Sequence, residues 1–590
     1  MLRTHTCGEL RTDHAAQEVI LCGWVHRRRD HGGLIFADLR DRYGFTQIVF
    51  DPKNRGVFTA AEKIRSEWVI RVTGAVRKRL EGAERKENPT GQIEVDVKTM
   101  EVLNEAETPP FEIDQEKEIN EEVRLTYRYL DLRRERMRNN MVLRHRMIQH
   151  IRKYFYDREF IEVETPILIK GTPEGSREYI VPSRLYHGEF YVLPQSPQQL
   201  KQLSMIGGLD RYMQIARCFR DEDQRGDRQP EFTQVDVEMS FVEAEDVMEV
   251  TEGGLIGLTE ELRPDVKIAK KPFPRFTWED AMHTYGSDKP DLRFGLELSD
   301  ITDLCKGCGF GVFAKAVESG GIVKAMRVPG GGAFSRKDID ELTEVAKVYG
   351  AKGLAWIKVT NGKFEGVPVE KLGTDLTKKI VHTAGAEEGD ILLFTADVFE
   401  VACTSLGAVR LEIARRQKLA DPSVFSFCWV TDFPMFEIEK ETGAITAMHH
   451  PFTRPKKEFL EDLAHDPLVA KAEAYDIVLN GNEIGGGSVR IHESALQKKV
   501  FEILNISDED AERRFGHMLR AFRFGAPPHG GIAWGVDRLV MLFANEPNIR
   551  EVIAFPKDQK AKDLMLGAPS VMPKPQLDEL GIQVKEELEE

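Results

Sequence analysis

The chain has 590 residues, of which 41% are hydrophobic, and its formal net charge is −16. At about 150 residues per domain, this length suggests roughly four domains. The apolar content is enough to build packed cores, which excludes collagen-like, low-complexity and wholly disordered proteins. The acidic total argues against a general nucleic-acid or membrane coat, and no apolar run has transmembrane or signal-peptide length. We therefore expect a soluble cytoplasmic protein with no membrane partner.

The seven cysteines are sparse and odd in number, which favours reduced thiols over a disulfide framework. Cys305 and Cys308 have the spacing of half a zinc knuckle, but no second CxxC or HxxxH follows to complete four ligands. We interpret them as ordinary reduced cysteines and keep metal binding as the alternative.

The first 106 residues carry 18 Lys+Arg and 16 Asp+Glu, a net charge of +2, so the remainder carries −18. Five strands alternate with turns in this segment, and a helix follows the third strand. This is the element order of an OB-fold, a small barrel that binds oligonucleotides across its second and third strands. The predicted strands are Val19–Val25, Leu34–Leu39, Thr46–Phe50, Trp68–Gly74 and Ile93–Val97, and the helix is Phe58–Ser66.

A basic loop is predicted at Arg27–Gly33, and Phe36 lies on the strand that follows. Arginines neutralise phosphates and aromatic rings stack on unpaired bases, which are the requirements for binding single strands. The alternative is a solvated loop with its phenylalanines in the core. Core packing is the better interpretation of any single Phe, whereas the Arg run and the barrel together favour binding.

Beyond the barrel, residues 107–138 predict a charged helical linker. An amphipathic helix over Asn139–Arg158 follows, with Val142, Ile148, Ile151 and Phe155 on its apolar face, and then a short strand that Pro166 ends.

Two further strands, Tyr212–Arg220 and Phe232–Glu238, flank a loop in which seven of eleven residues are charged. Strand alternation places Gln214, Cys218 and Arg220 on one face of the first strand, and Gln234, Asp236 and Glu238 on one face of the second. Such a hairpin is a better floor for a charged substrate than a core element. A salt-bridged surface hairpin would explain the loop but not the whole pattern.

Near the C-terminus, Gly530–Leu542 predicts a glycine-rich turn that opens a helix. Val536, Leu539, Val540 and Phe543 would pack this helix down and leave Arg538 in its exposed first turns. A helix start and an arginine both suit phosphate oxygens.

Taken in order, these three segments resemble motifs 1, 2 and 3 of the class II aminoacyl-tRNA synthetases. Tyr127–Arg133 resembles a signature of the subgroup that charges aspartate, asparagine and lysine. The resemblance implies a multidomain α+β protein with an N-terminal OB-fold β-barrel, an antiparallel-sheet catalytic domain and an inserted α+β domain. It also implies a homodimer built on motif 1.

We expect an OB-fold anticodon-binding domain at 1–106, a linker at 107–138, a catalytic domain at 139–289 and 416–590, and an insertion at 290–415. Bacterial aspartyl enzymes of this family carry such an insertion, so the chain resembles the bacterial-type aspartyl-tRNA synthetases over essentially its full length. We interpret the insertion as a docking surface. Its predicted elements are strands Phe310–Phe313, Val323–Val328, Ala355–Val359 and Ile391–Phe394 and helix Arg336–Tyr349.

For ATP, the resemblance implies Arg220 on the α-phosphate and Arg538 on the γ-phosphate. Asp476 and Glu483 could hold Mg²⁺ between them, since this ion prefers carboxylate and phosphate oxygens. No Walker A sequence or strand-associated GxGxxG is present. The catalytic set is then Arg220, Glu483 and Arg538, and the further ATP contacts are Glu222, Gln229, Gly535, Val536 and Asp537.

For aspartate, the resemblance implies that Lys201 and Arg490 clamp the β-carboxylate, with Ser196 capping a helix from Pro197. Bidentate recognition by arginine would disfavour a neutral amide. The other implied contacts are Gln198, Arg220, Asp236 and Glu174 of the mobile loop Thr172–Gly175, together with His449 and His450. Which histidine contacts the substrate stays open. The two could instead bind metal, but no third ligand has a recognisable spacing.

The resemblance implies attack of aspartate on the α-phosphate of ATP, followed by transfer of aspartate from the adenylate to tRNA. The rivals are an asparaginyl or lysyl relative, which Lys201 and Arg490 disfavour, and a non-catalytic OB-fold tRNA-binding protein.

Anticodon contacts are implied at Arg29, His31, Phe36, Gln47 and Gly82. Enzymes of this family that are strict for tRNA(Asp) tend to carry leucine where this chain has His31 and lysine where it has Gly82. We therefore expect an enzyme that also charges tRNA(Asn) and supplies a tRNA-dependent amidotransferase. The alternative is a strictly tRNA(Asp)-specific enzyme with neutral drift at these positions.

Overall fold

The computed structural model describes residues 1–115, 117–171, 176–439 and 442–585. Two compact units can be distinguished. The first comprises Met1–His145, Gln224–Asp227 and Glu546–Met572, and the second comprises Arg146–Asp223, Arg228–Asn545 and Pro573–Glu590. No helix within the described ranges is long and apolar enough to cross a membrane.

The N-terminal strands close into a barrel in the order β1-β2-β3-β5-β4, which confirms the OB-fold. Buried Val19, Leu21, Ile35 and Phe50 belong to its core. The predicted loop Arg27–Gly33 is wrong, because β1 continues through His31 and pairs with β2 to its end. The elements are β1 (Glu18–His31), β2 (Leu34–Asp41), β3 (Gly44–Phe50), α1 (Arg55–Ala61), β4 (Val69–Lys78) and β5 (Ile93–Asn104).

Two short helices, α2 (Glu121–Thr126) and α3 (Arg128–Asp131), precede the long helix α4 (Glu135–Tyr156). Three charged residues of α2 and α3, Arg124, Arg128 and Asp131, are buried. Arg124 and Arg128 both donate to Asp131, at 3.0 and 2.5 Å, and Arg124 also donates to Glu551 at 2.9 Å. The predicted charged helical segment thus contains two short helices whose buried charges form an internal ion network.

Helix α4 confirms the predicted amphipathic helix and begins four residues earlier. Ile151 and Phe155 are buried as expected. Val142 is 39% exposed and is not a core residue. The chain then forms β6 (Ile161–Glu162), β7 (Ile180–Pro182), β8 (Phe190–Val192), α5 (Gln198–Ile206), β9 (Arg211–Phe219), β10 (Glu231–Ser240), α6 (Ala244–Leu262), β11 (Lys267–Ile268), β12 (Arg275–Thr277) and α7 (Trp278–Tyr285).

The segment that was predicted to be inserted builds a sheet of its own, in the order β13-β14-β17-β15-β16. The predicted strand Phe310–Phe313 is wrong, since this stretch enters helix α8. The elements are β13 (Leu298–Asp300), α8 (Gly311–Glu318), β14 (Ile322–Val328), α9 (Arg336–Val348), β15 (Ala355–Thr360), β16 (Lys363–Glu365), α10 (Val367–Leu372), α11 (Thr374–Thr383), β17 (Ile391–Asp397) and α12 (Phe399–Gln417).

The remaining elements complete an eight-stranded sheet in the order β12-β19-β22-β23-β24-β10-β9-β6. All its neighbours are antiparallel except the two edge pairs β12–β19 and β6–β9. These elements are β18 (Val424–Phe425), β19 (Phe427–Thr431), β20 (Phe436–Ile438), β21 (Ile445–Ala447), β22 (Ala474–Leu479), β23 (Asn482–Val489), α13 (Ser494–Ile503), α14 (Asp508–Phe522), β24 (His529–Gly535), α15 (Val536–Ala544) and α16 (Lys574–Glu579).

Glycines line the centre of this sheet. Gly530 and Gly531, predicted in a turn, lie in strand β24 and pair with β10 and β23. A Cβ atom on Gly531 would lie 2.0 Å from the Glu238 carboxylate, so only glycine lets that side chain lie flat on the strand.

Candidate functional site

The hairpin β9–β10 supplies a buried polar floor. Asp236 pairs with Gln214 and Glu238 pairs with Tyr212, so these side chains share one face of the sheet. Asp236 is 1% exposed and Glu238 is fully buried. The predicted polar face of the hairpin is therefore an internal surface that carries two carboxylates.

Lys201 projects onto this floor from α5. The helix begins at Gln198, and Pro197 is its N-cap, one residue later than predicted; the Ser196 hydroxyl accepts from the Gln198 N–H at 3.3 Å. The Lys201 ammonium is 2% exposed, donates to Asp236 and lies 3.2 Å from Glu238. A buried cation of this kind needs such partners, because burial without them is costly.

Arg490, which directly follows β23, holds Glu238 from the other side. Its Nε and Nη2 atoms donate to the two Glu238 oxygens at 3.0 and 3.1 Å. Its Nη1 atom bonds Ser488 Oγ and His450 Nε2, both at 2.7 Å. A guanidinium has five N–H groups, so one is left for a ligand. Glu238 occupies the Nε and Nη2 edge of Arg490, and the predicted clamp of Lys201 and Arg490 on a substrate carboxylate stays a prediction.

The two adjacent histidines diverge. His450 accepts the Arg490 bond, and burial followed by the Arg490 charge holds its pKa well below the usual range. His449 faces Asp476 at 3.7 Å. Burial alone would lower the pKa of His449, but the Asp476 and Glu483 carboxylates together raise it above the usual value. The structure thus gives the two rings different partners.

Several buried polar atoms of the pocket have no hydrogen-bond partner within the described ranges. They are Gln198 Nε2, Asp236 Oδ2, Arg220 Nε and His449 Nδ1. Buried polar groups are normally satisfied, so open donors and acceptors in a pocket suit a bound polar ligand. An open carboxylate oxygen beside open N–H donors suits a zwitterion with an ammonium and carboxylates.

Arg220 follows strand β9, where its N–H donates to the Pro230 carbonyl at 2.9 Å. Its guanidinium lies over the Phe232 ring, 5.1 Å from the centroid. Of the two predicted ATP contacts in the adjoining loop, Glu222 accepts from Ser176 Oγ at 2.7 Å and from Arg228 at 2.8 Å. Gln229 is 5% exposed and its amide lies 3.5 Å from the Arg228 carbonyl.

The start of α15 fixes Arg538. Gly535 ends β24 and caps the helix, and Val536 is buried. Asp537 accepts the Thr233 backbone N–H at 2.8 Å, which ties the helix start to β10. Arg538 donates to the Glu483 carbonyl, so the predicted triphosphate arginine lies against strand β23.

Asp476 and Glu483 point into one space. A Cβ atom on Gly486 would lie 2.6 Å from an Asp476 oxygen and 3.8 Å from a Glu483 oxygen, and glycine leaves this space open. Burial, opposed by His449 and supported by the Glu483 charge, raises the pKa of Asp476 to about 6. Two carboxylates that face one open space fit the donor set of a Mg²⁺ site.

Two residues of this pocket were missing from the predicted site. Glu238 is the shared partner of Lys201 and Arg490, and its position two residues after Asp236 on one strand could have identified it. Gln195 makes two bonds with the backbone of Ser176, at 3.2 and 3.0 Å. These bonds anchor the chain next to the predicted loop Thr172–Gly175, which lies outside the described residues together with Glu174.

On the barrel, a second polar cluster takes one side chain from each of the five strands. Arg29 donates to both Asp38 oxygens at 3.2 Å and lies 3.4 Å from Gln47 Oε1. Gln47 in turn donates to Glu94 at 2.8 Å, and Arg77 binds the same carboxylate at 2.8 Å. Donors and acceptors thus alternate across this face.

The other predicted anticodon residues lie at the surface. Phe36 alternates with core-facing Ile35 and Ala37 and is half-buried. Its ring therefore lies on the outer face, next to its cross-strand partner Arg29. His31 ends β1 and is exposed. Gly82 is exposed with a φ of +83°, and a Cβ atom there would meet open space.

Comparison with known proteins gives consistent results. A model of class II tRNA synthetases (D, K and N) matches residues 120–559, and a model of the OB-fold nucleic acid binding domain matches residues 19–103. An aspartate–tRNA(Asp/Asn) ligase from Rubrobacter xylanophilus is 54% identical over 99% of this chain and 97% of its own length. An aspartate–tRNA ligase from Macrococcus caseolyticus is 51% identical over 99% and 98%.

Among solved structures, the asparaginyl-tRNA synthetase from Pyrococcus horikoshii complexed with asparaginyl-adenylate superposes with a TM-score of 0.59. It is 20% identical and covers 94% of this chain and 98% of its own, which shows a shared fold. The family models and the similarity over nearly the whole sequence show more than a shared fold. This chain belongs to the class II tRNA synthetases of the D, K and N group.

Proposed function

We propose that this chain joins L-aspartate to tRNA(Asp) and tRNA(Asn) through an aspartyl-adenylate. The observation that carries the choice of amino acid is the pair of buried cations Lys201 and Arg490. Each retains a donor for a ligand, beside the open Asp236 oxygen that suits an ammonium group. Asparagine would bring an amide NH₂ group towards these donors, and buried donors without an acceptor are costly.

In the first step, the aspartate α-carboxylate attacks the α-phosphate of ATP and pyrophosphate leaves. Arg220 neutralises charge at the α-phosphate, and its ring contact with Phe232 keeps it in place. Arg538 binds the γ-phosphate. Asp476 and Glu483 would hold Mg²⁺, which neutralises phosphate charge when bound. Positioning and charge neutralisation supply the rate acceleration for this type of transfer, so the step requires no enzyme nucleophile.

In the second step, a hydroxyl of the 3′-terminal ribose of tRNA attacks the activated carbonyl carbon, and AMP leaves. The barrel face around Arg29, Phe36 and Gln47 would hold the anticodon by stacking and hydrogen bonds. The alternating donors and acceptors on this face support that role.

For the tRNA, exposed His31 and Gly82 are the residues that favour the dual specificity. The Rubrobacter relative is named for both tRNAs, whereas the Macrococcus relative of similar identity is named without tRNA(Asn). Overall sequence identity therefore does not distinguish enzymes of dual tRNA specificity from those named without tRNA(Asn). The residues that contact the anticodon should make this distinction. Charged tRNA(Asn) would pass to an amidotransferase that converts its aspartate to asparagine.

We also propose a homodimer. The short strand β6 ends the eight-stranded sheet, and Ile161 on it is 47% exposed. An apolar residue on an open strand edge suits pairing with a second copy.

ATP–pyrophosphate exchange tests the amino acid. Aspartate should support exchange, while asparagine and lysine should support little, because neither places an anion against Lys201 and Arg490. Exchange with asparagine at the same rate would contradict the assignment. Absence of exchange with all three amino acids would favour the non-catalytic tRNA-binding alternative.

Charging of purified tRNA(Asp) and tRNA(Asn) transcripts tests the second specificity. Both should accept aspartate, and the double variant His31→Leu, Gly82→Lys should lower the ratio of tRNA(Asn) to tRNA(Asp) charging several-fold. Pyrophosphate exchange is the control and should not change. A chain that never charges tRNA(Asn), or a ratio that the double variant leaves unaltered, refutes the dual assignment and leaves a strict tRNA(Asp) enzyme.

A further inference from the structure

Cys305 and Cys308 are the two ends of one hydrogen-bonded turn. The Cys308 N–H donates to the Cys305 carbonyl at 3.2 Å. Lys306 has φ −59° and ψ 117°, and Gly307 has φ +64°, which are the angles of a type II turn with glycine in its required place. Such a turn brings its first and last Cα atoms within about 7 Å, and a disulfide spans about 4.4 to 6.8 Å.

The two thiols differ in access to solvent. Cys305 is fully buried in an apolar cluster with Ile301 and Phe313. Cys308 is half-buried at the edge of that cluster, where its Sγ donates to the Phe310 carbonyl at 3.6 Å. Burial, and after it the charge of Cys308 and a side-chain contact with Cys308, raises the pKa of Cys305 to about 12. The partly exposed thiol therefore reacts first with a reagent from solvent, and the buried thiol lies next to it.

A metal site does not fit this pair. No cluster of three or more His, Cys, Asp and Glu side chains able to hold a metal occurs in the described part of the chain. Structural zinc takes four ligands, and the turn offers two. Two adjacent thiols of unequal exposure are instead suited to thiol–disulfide exchange.

We propose that Cys305 and Cys308 form a reversible dithiol–disulfide centre that exchanges with low-molecular-weight disulfides. The Cys308 thiolate attacks one sulfur of the reagent, forms a mixed disulfide and expels one thiolate. Cys305 then loses its proton and attacks the Cys308 sulfur, which closes the 305–308 disulfide and expels the second thiolate. The protein loses two electrons and two protons, and the reagent is reduced to two thiols.

Closure of the disulfide would change the contacts of Phe310, which follows the turn. It removes the S–H donor from the Phe310 carbonyl, and Phe310 lines a surface pocket of about 410 Å³ with Val312, Lys315 and Lys371. The redox state of the pair is thus coupled to the wall of this pocket.

The test is to equilibrate the full-length chain with mixtures of reduced and oxidised glutathione, alkylate the remaining thiols, and map the peptides by mass. The wild type should lose both thiols together and yield a peptide with an internal 305–308 disulfide, lighter by two hydrogen atoms. Added dithiothreitol should restore both thiols. Buried Cys403 and Cys428 serve as internal controls, and the alkylating reagent should reach them only after the chain is unfolded.

Two variants distinguish the roles of the thiols. Cys305→Ser should stop at a single glutathione adduct on Cys308. Cys308→Ser should leave Cys305 as unreactive as Cys403, because no accessible thiol precedes it. The proposal is overturned if no 305–308 linkage forms at any glutathione ratio, if Cys308→Ser leaves Cys305 reactive, or if the purified chain holds stoichiometric zinc on these thiols.

Discussion

The cationic side chains of the buried pocket and those of the barrel face differ in their exposure to solvent. Lys201 and Arg490 are each 2% exposed and are held by buried carboxylates. On the barrel, the side chains of Arg29 and Arg77 are 41% and 42% exposed, although their carboxylate partners are largely buried. Charge pairs in low dielectric interact strongly and are costly to break, whereas water screens those at the surface. Amino-acid selection should therefore fail sharply on mutation, and anticodon contacts should weaken by degrees.

The strongest test of this contrast is removal of a pocket cation. Arg490→Ala or Lys201→Ala leaves buried Glu238 with one partner instead of two and removes a donor for the β-carboxylate. We expect a loss of about 2 to 5 kcal/mol in aspartate recognition. The measurement is aspartate-dependent pyrophosphate exchange, with circular dichroism to confirm the fold.

The matched control for these two variants is Arg275→Ala. Arg275 forms an ion pair with Glu245 in which the side chains are 42% and 61% exposed. A surface pair contributes about 1 kcal/mol or less, so exchange should stay near that of the wild type. Near-normal exchange in both pocket variants would remove Lys201 and Arg490 from the aspartate site.

A second test addresses the carboxylate that holds the cations. Glu238→Gln keeps the shape but gives Arg490 one acceptor oxygen instead of two and turns an amide NH₂ group towards a cation. Hydrogen bonds to charged groups contribute about 1.5 to 3 kcal/mol. We expect the KM for aspartate to rise at least tenfold and kcat to change less, because Glu238 positions Arg490 and does not touch the reacting atoms. A change in kcat with an unaltered KM would contradict this role.

The sequence was sufficient for elements that carry a clear period. Five barrel strands, the hairpin β9–β10 and three strands of the inserted sheet follow from short runs of apolar and β-branched residues. Short ambiguous runs failed. Phe310–Phe313 has strand-like residues, but Phe313 packs into the core from helix α8. Gly530 and Gly531 predicted a turn, yet they lie in a strand because Glu238 needs the space above Gly531. Packing from distant segments decided both cases.

The resemblance to the synthetase family implies the site residues, but not their mutual contacts. Lys201, Asp236 and Arg490 were named, and the structure brings them around one buried carboxylate. The sequence could not indicate that Glu238 accepts hydrogen bonds from both Nε and Nη2 of Arg490. The two residues are 252 positions apart and come together only in the folded sheet. Likewise, it could not assign His449 to Asp476 and His450 to Arg490.

On the barrel, Phe36→Ala should produce a graded loss. Removing a stacking platform costs about 1 to 3 kcal/mol in tRNA binding. Charging of tRNA should weaken, while tRNA-independent exchange stays intact. The matched control is Phe50→Ala, which removes a fully buried ring and should cost about 3 to 5 kcal/mol of barrel stability. If Phe36→Ala lowers the unfolding midpoint as much as Phe50→Ala does, Phe36 is a core residue.

The smallest expected effect is a pH dependence inside the pocket. In the folded chain His450 is neutral, because it accepts a bond from Arg490 and burial lowers its pKa well below the usual range. In the unfolded chain it regains a pKa of about 6.5. Its contribution to stability is therefore complete above about pH 6.5 and is lost as the pH falls from there towards the folded pKa, by at most about 1.4 kcal/mol per pH unit. His450→Gln keeps an acceptor for Arg490 and cannot titrate, so its chemical-unfolding midpoint should fall less steeply with acid than that of the wild type. The exposed control His465→Gln should follow the wild type. Parallel curves for wild type and His450→Gln would show that His450 does not stay neutral against Arg490, and the pocket would then tolerate a third cation that its buried carboxylates must balance.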